Sequence, residues 1–503
     1  MMRRLLASLT VFALLSLLSP ALGLSDNSRA GANVTVNWEK VVRVSKTTLS
    51  VTVCTEPPMR RGSPIHHQLF QALHNLRANY ARFNLWYPYP RLAVAELKPP
   101  HDGKTFWDFS LLDPIVADFM KANAGRPMVM GISTIPEWMF KTKAPVSYPT
   151  NPNQIDWQYE QGTELRDPSM KEVADYFARV ASWYTQGGFK DEDGRWHASG
   201  LHYKFDYWEV LNEPDDEHYM TPQFYTALYD AIVAAVHRVD PQMKFVGLVL
   251  TPEGIKNPEY FDYFLNRKNH KPGIPLDMIS YHFYAWPSAA GETIAEMEHT
   301  FFCQADGFIT NVRYIESIRR RLSPQTRTYV DEVGTILPNS RSPKLVRPIP
   351  NSYWNLSGAV FAYVYAHLTE LGINTVAEAE LIDYPGQYAG TTLVDWRTGR
   401  PNARYWVLKL LRDNFGPGDK LVETQAPNPY MYAEAFTTPN GKHKILLINK
   451  RERSLEVTIP GSNGARVDYV DQTTGFEPPG TMTLRGGPLT LRGFAVAVVT
   501  LAK

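Results

Sequence analysis

Eight short apolar runs recur along the chain, at residues 48–53, 80–84, 127–132, 207–211, 244–249, 278–281, 327–330 and 375–380. Runs of this length, rich in Val, Ile, Leu, Tyr and Phe, predict strands buried inside a sheet. Helical patterns fill the gaps. Residues 66–78 place Leu69, Leu73 and Leu76 on one face. Asp167-Pro168 predicts a helix start, with Asp as N-cap and Pro at the first helical position, followed by a stripe of Val173, Phe177, Val180 and Tyr184. Thr221-Pro222 starts another by the same rule, with Phe224, Leu228, Ile232 and Val236 at helical spacing. Residues 358–371 form a further helical stretch. Eight strands alternating with helices predict an α/β chain folded as a (β/α)8 barrel.

The pattern changes after a last helix at 402–414, whose Tyr405, Leu408 and Leu411 face inward. Short strands at 430–436, 444–449, 455–459, 466–470, 482–484 and 494–501 sit between Gly, Pro and Asn turns. That spacing predicts a C-terminal antiparallel β-sandwich. Residues 33–38 alternate like a strand and are a candidate to join it. A chain of 503 residues is too long for one ordinary core. The expected division is a barrel over 24–415 and a sandwich over 416–503. No low-complexity linker separates them, so the two are expected to pack rigidly.

Residues 1–23 predict a secretory signal. Arg3 and Arg4 are its charged part, Leu5 to Leu18 its apolar part, and Ala21-Leu22-Gly23 the small residues for cleavage. The mature chain is therefore expected to be secreted or periplasmic, or lysosomal in an animal-type host, without a membrane anchor. Lys+Arg of 52 against Asp+Glu of 51 leaves no charge excess to attract nucleic acid. Cys54 and Cys303 allow at most one bridge. Asn33-Val34-Thr35 and Asn355-Leu356-Ser357 are glycosylation sequons, relevant only in a eukaryotic secretory host.

Chemistry enters at the strand tips. The run Tyr207-Trp208-Glu209-Val210-Leu211 closes on Asn212-Glu213-Pro214, and Pro214 has no N–H to continue a ladder. Glu213 thus stands at the C-terminal tip of a buried strand, where barrels carry catalytic groups. Thr328-Tyr329-Val330-Asp331-Glu332 is a second strand ending in a carboxylate, 119 positions on (332 − 213). Two acids at two tips are what glycoside hydrolysis needs. Glu209 is expected to face the barrel interior beneath them.

These residues resemble clan A glycoside hydrolases, and within that clan family 39, which contains β-xylosidases and α-L-iduronidases. Asn212-Glu213-Pro214 matches the clan's acid/base tip on strand four, and Glu332 its nucleophile on strand seven. His282 and Tyr284 match its His-x-Tyr after strand six, and Arg82 its arginine at the end of strand two. The resemblance implies a retaining glycosidase acting on a carbohydrate, with no cofactor and no metal. Asn212 would bind the sugar 2-hydroxyl, Arg82 would favour ionised Glu332, and His282 and Tyr284 would hold that carboxylate. Trp138, Trp286 and Trp396 are candidate stacking platforms. Xylosidase relatives usually carry Trp where Leu211 stands. Iduronidase relatives carry basic residues where this chain has Phe283-Tyr284-Ala285-Trp286, yet Pro214-Asp215 and Asp331-Glu332 look more like the iduronidase pattern. A β-xylosidase-like activity is the first expectation. An iduronidase-like or other exo- or endo-glycosidase, or a carbohydrate-binding protein on an inactive barrel, are the alternatives. Oligomeric state is left open.

Overall fold

The structure is a computed structural model and describes residues 31–144, 146–157, 162–337, 342, 344 and 348–502. The expected secretory signal lies outside the described residues. Eight parallel strands close into a barrel, each paired to the next and β8 paired back to β1. They are β1 (Thr48–Cys54), β2 (Tyr80–Leu85), β3 (Met128–Ile132), β4 (Tyr207–Val210), β5 (Lys244–Leu250), β6 (Met278–Ala285), β7 (Arg327–Thr335) and β8 (Thr375–Glu378). Apart from the single turn Pro90–Ala93, the α-helices between and after them are α1 (His66–Leu76), α2 (Asp113–Asn123), α3 (Lys171–Thr185), α4 (Pro222–Val239), α5 (Pro258–Phe264), α6 (Ile294–Leu322), α7 (Asn351–Leu371) and α8 (Ala403–Asn414). Every residue of β3, β4 and β8 is buried, because barrel strands meet side chains inside and helices outside.

Several boundaries differ from expectation for physical reasons. β6 and β7 run past their apolar stretches, so His282, Tyr284 and Glu332 lie on the strands rather than after them. Their polar side chains are buried against one another, which an apolar pattern does not register. Asp167 does not cap α3. The helix begins at Lys171 after Met170, whose φ is +63°. Asp167 still serves it from outside, accepting from the Glu172 amide at 3.0 Å. The 29-residue helix α6 starts on a capping box of Thr293 and Glu296, a legible signal. α7 begins at Asn351, so Asn355 is buried within it, out of reach of a glycosylating enzyme in the folded chain. Cys54 is buried and Cys303 exposed, and both are free thiols.

The second unit is a sandwich of a seven-stranded and a three-stranded sheet. Strand Thr35–Val44 pairs antiparallel with Lys420–Gln425 at one edge of the larger sheet. Ala32–Asn33 pairs with Leu455–Thr458 in the smaller one. In strand His443–Asn449, Ile445 and Leu447 join the sandwich core, while Leu446 and Ile448 join the core shared with the barrel. This alternation is the period-two rule applied to a sheet covered on both faces. Among the described residues no helix is long and apolar enough to cross a membrane.

Candidate active site

The carboxyl ends of the strands surround a cavity of about 970 Å³. At its floor lies Arg82, on β2 and fully buried. Its Nε donates to both Glu209 oxygens, at 3.0 and 2.9 Å, and its Nη2 to Glu209 Oε1 at 2.6 Å. Nη1 donates to Glu332 Oε1 at 2.5 Å, and Nη2 also to Asn212 Oδ1 at 2.6 Å. Asp331 Oδ2 lies 3.4 Å from Nε. One guanidinium thus ties together β2, β4 and β7. Only a planar fork of five donors can serve so many acceptors.

Glu332 receives a second donor, the Tyr284 hydroxyl, at 2.6 Å. β6 and β7 lie in register for this: Tyr284 opposes Gly334, where a Cβ would come within 2.8 Å of the Tyr284 ring. Tyr281 opposes Val330 and His282 opposes Glu332, so Asp331 is an extra residue in β7. This bulge lets two consecutive acids both reach the interior. His282 then sits between carboxylates. Its Nδ1 is 2.8 Å from Glu213 Oε1 and 3.3 Å from Glu332 Oε2, and its Nε2 is 3.5 Å from Asp331 Oδ1. Burial alone would lower its pKa. The Glu332 and Asp331 charges outweigh that and push it well above the usual imidazole range.

Glu213 follows β4 through a distorted backbone. Leu211 has φ +66° and Glu213 φ +40°, and beside them Leu248 and Val249 of β5 have φ +73° and +53°. Left-handed conformations at four side-chain-bearing residues cost of order 1–3 kcal/mol each and persist only where neighbours enforce them. Here the Glu213 amide donates to the Val249 carbonyl at 3.0 Å. Tyr225, from α4, donates to the Val210 carbonyl at 3.0 Å and accepts from the Leu248 amide at 2.8 Å. The kink turns the Glu213 carboxyl into the cavity. Burial pushes its pKa above the ordinary carboxyl range, His282 opposes that, and repulsion from Glu332 adds to it. Room for the network comes from Gly131 on β3, where a Cβ would stand 2.8 Å from Glu209 Oε1.

Of the residues singled out in the sequence, Glu213, Glu332, Asn212, His282, Tyr284 and Arg82 come together in one network. Trp286 lines the cavity and is half exposed. Trp138 and Trp396 do not belong to it. Trp138 is buried in the core, with its Nε1 donating to the Glu96 carbonyl at 2.8 Å and Arg166 stacked on its ring. Trp396 packs against the barrel core outside the cavity lining. The aromatic wall comes instead from Trp86, Trp157 and Tyr388. Tyr388 lies 6.4 Å from Trp86, 5.7 Å from Trp157 and 6.4 Å from Trp286, ring to ring. Sequence reasoning also missed Glu217. Its Oε1 accepts from Asn212 Nδ2 at 3.0 Å, while its Oε2 has no partner. The signal was four residues from Glu213, in a second acid on the same loop.

Glu213, His282 and Glu332 have the right atoms for a metal, all within 4.8 Å of one another. The donor set does not fit one. Glu332 is already held by a guanidinium and a hydroxyl, and a cation there would face Arg82 at close range.

A (β/α)8 barrel with one carboxyl group just after β4 and another on β7, both at its C-terminal face, has the arrangement of the clan A glycosidases. The chain belongs to the glycosyl hydrolases family 39, whose model matches residues 29–354, more than half of it. No curated protein matches it by sequence. Among solved structures it is similar in fold to a GH51 arabinofuranosidase from Xanthomonas axonopodis pv. citri, with TM-score 0.62 and 12% identity over 94% of this chain and 100% of that one. An α-L-arabinofuranosidase from Thermotoga maritima aligns with TM-score 0.58 and 13% identity, again over 94% and 100%. A GH30 endoxylanase from Clostridium papyrosolvens C71 gives 0.55 and 16% over the same shares.

Proposed function

We propose that the protein is a retaining glycosidase with Glu332 as nucleophile and Glu213 as acid/base. The observation that carries this is that each carboxyl brings an oxygen within 4.8 Å of an oxygen of the other, which supports the closer of two spacings. Retention needs about 5–5.5 Å, while inversion needs about 6.5–9.5 Å to admit a water. In the first step a Glu332 oxygen bonds to the anomeric carbon as the bond to the leaving oxygen breaks, and Glu213 gives that oxygen its proton. In the second, Glu213 takes a proton from water, the water oxygen bonds to the anomeric carbon, and Glu332 leaves as carboxylate. Arg82 and Tyr284 hold the nucleophile, one donor on each of its oxygens. Asn212, fixed from both sides by Arg82 and Glu217, is placed to meet the 2-hydroxyl.

The cavity wall supports a neutral sugar, with a β-xyloside first. Among the described lining residues seven are carboxylic acids and Lys256 alone is basic. A uronate carboxylate would find Lys256 as its one cationic partner among them. Arg397 and Arg400, basic residues on the loop before α8, are turned elsewhere: Arg397 stacks on Trp396, and Arg400 pairs with Glu477 at 2.5 Å. NMR of aryl β-xyloside hydrolysis tests both statements. The first anomer released should keep the substrate's configuration, and an inverted product removes Glu332 from the nucleophile role. A higher kcat/KM on aryl α-L-iduronide would overturn the sugar assignment. We further propose that the chain is exported, with its mature terminus near Leu24. Terminal sequencing from a secreting host tests this, and an intact Met1 on membrane-held protein would refute it.

A further inference from the structure

The barrel closes where β8 pairs with β1, with Glu378 opposite Val51. Just beyond that pair the chain brings together three acids that the chemistry above does not use. Glu56 follows β1, and Glu380 and Asp383 follow β8. All three are buried, and one oxygen from each lies within 4.8 Å of the others. None pairs with a Lys or Arg among the described residues. Arg404, on α8, is committed to Glu378 at 3.2 Å and to the carbonyls of Ala379 and Thr391.

The three are not equally placed. Asp383 is anchored: its Oδ1 accepts from the Tyr384 and Tyr388 amides at 3.0 Å each, and its Oδ2 from Thr391 Oγ1 at 2.5 Å. Glu56 lies beside the Tyr89 hydroxyl and the Gln387 amide, yet neither of its oxygens makes a hydrogen bond of good geometry. Gln387 stands beside it, fully buried, and neither atom of its amide has a partner either. An orphaned carboxylate and an orphaned amide side by side are unusual, because each buried unmet polar group costs about 1–3 kcal/mol and more when charged. A shared proton does not account for them. Glu56 makes no hydrogen bond to Glu380 or Asp383, whose charges only repel it.

We propose that Glu56, Glu380, Asp383 and the Gln387 amide oxygen hold a hard divalent cation, calcium in first place. The donors offered are oxygens, which suit Ca²⁺ and Mg²⁺ over softer metals. Cys54 borders Glu380, but burial pushes its thiol well up, away from the thiolate a soft metal needs. Magnesium keeps most of its own water, whereas calcium accepts a flexible shell of protein oxygens, so a buried cage of three carboxyls and an amide favours calcium. Glu380 and Asp383 also line the cavity, so the remaining coordination positions face it. The site uses neither Glu213 nor Glu332, and it stands whether or not the glycosidase mechanism above does.

The test uses the full-length protein, dialysed against EDTA and then against buffer. Calorimetric titration with CaCl₂ should show one saturable site, and the melting temperature should rise over the same concentrations. Glu56→Gln, which keeps the side chain's shape, should weaken calcium binding on the order of 10-fold or more, since charge count sets affinity in such sites. Glu380→Gln should do the same, and covers the case in which the first variant does not fold. A flat wild-type titration, with no calcium retained on equilibrium dialysis, overturns the proposal and leaves protons as the neutralising agent. Equal binding by wild type and both folded variants overturns it too, by placing the ion elsewhere.

Discussion

Two groups of acids share one end of this barrel. Glu209, Asp331 and Glu332 stand around Arg82, each within 3.4 Å of its guanidinium. Glu56, Glu380 and Asp383, at the closing pair of strands, have no such partner. Both groups are buried, so the difference is not one of solvent. In the first group a single cation offsets the acids and fixes where each oxygen points, which is what a nucleophile needs before substrate arrives. In the second, the protein supplies a cage and no charge to fill it. An acid group with a built-in cation is equipped for chemistry on something neutral. One without a cation is equipped to receive something positive.

The comparison is tested hardest by removing the acids that face the cavity. Glu332→Ala cannot form the glycosyl-enzyme, so activity should fall on the order of 10⁴–10⁶-fold on every substrate. Azide should restore it by direct attack, giving a glycosyl azide of inverted configuration. Glu213→Ala should lose about 10²–10⁴-fold on poor leaving groups and little on good ones. There azide should give the retained configuration. The same azide product from both variants would show that the two acids do not have separate roles.

Arg82→Met would make the first group resemble the second. Breaking a buried ion pair from one side costs about 3–5 kcal/mol, because the partner charges stay buried. The variant should melt well below wild type and lose activity on good and poor leaving groups alike. Added calcium should not restore it, since these acids converge on a guanidinium position. A variant that melts with wild type would mean that His282 alone offsets Asp331 and Glu332.

What the sequence disclosed follows the same physics. The barrel strands were legible because strands covered on both faces are apolar throughout, as in Phe245 to Leu250. Glu213 was legible from Asn-Glu-Pro closing an apolar run, although the strand itself ends at Val210, before the left-handed Leu211. The reading stopped short on β6 and β7, where His282, Asp331 and Glu332 are buried by pairing with each other, and polarity in a sequence reads as the end of a strand. Trp138 was misplaced because an indole shows its size but not its direction. Trp86, Trp157 and Tyr388 lie on loops, whose course no periodicity reports. Glu56 lies more than 320 positions from Glu380 and Asp383 in sequence (380 − 56 = 324). Only closure of the barrel, β8 onto β1, makes them neighbours.

The smallest effect concerns a third way of burying acids, by sharing a proton, and it separates that way from the other two. Glu370, near the end of α7, meets Glu434 of strand Met431–Thr437 at the barrel–sandwich junction. The Tyr432 hydroxyl lies within hydrogen-bond distance of both, at 2.9 and 3.1 Å, and His367 Nδ1 lies 2.9 Å from Glu370. Burial, then the hydrogen bond to Glu370 and its charge, push Glu434 up to about 9. Glu370 is held below the usual range, since His367 and its hydrogen bonds outweigh burial. The sign follows from proton counting. Between roughly pH 4.3, the ordinary Glu value, and about 9, the folded chain holds a proton on Glu434 that the unfolded chain has lost. Stability from this group is complete below that window and declines as pH rises through it. Glu370 acts in the opposite direction and only at lower pH, so it does not cancel the decline. Glu434→Gln keeps a donor for Glu370 without a titrating proton. Between pH 6 and 9 wild type should lose about 1–3 kcal/mol that the variant keeps, read as a difference in how melting temperature falls with pH. EDTA should leave that difference unchanged, because no cation is needed where a proton already joins the two acids. Parallel curves for the two proteins would show that Glu434 is ionised at neutral pH and that the junction is held in some other way.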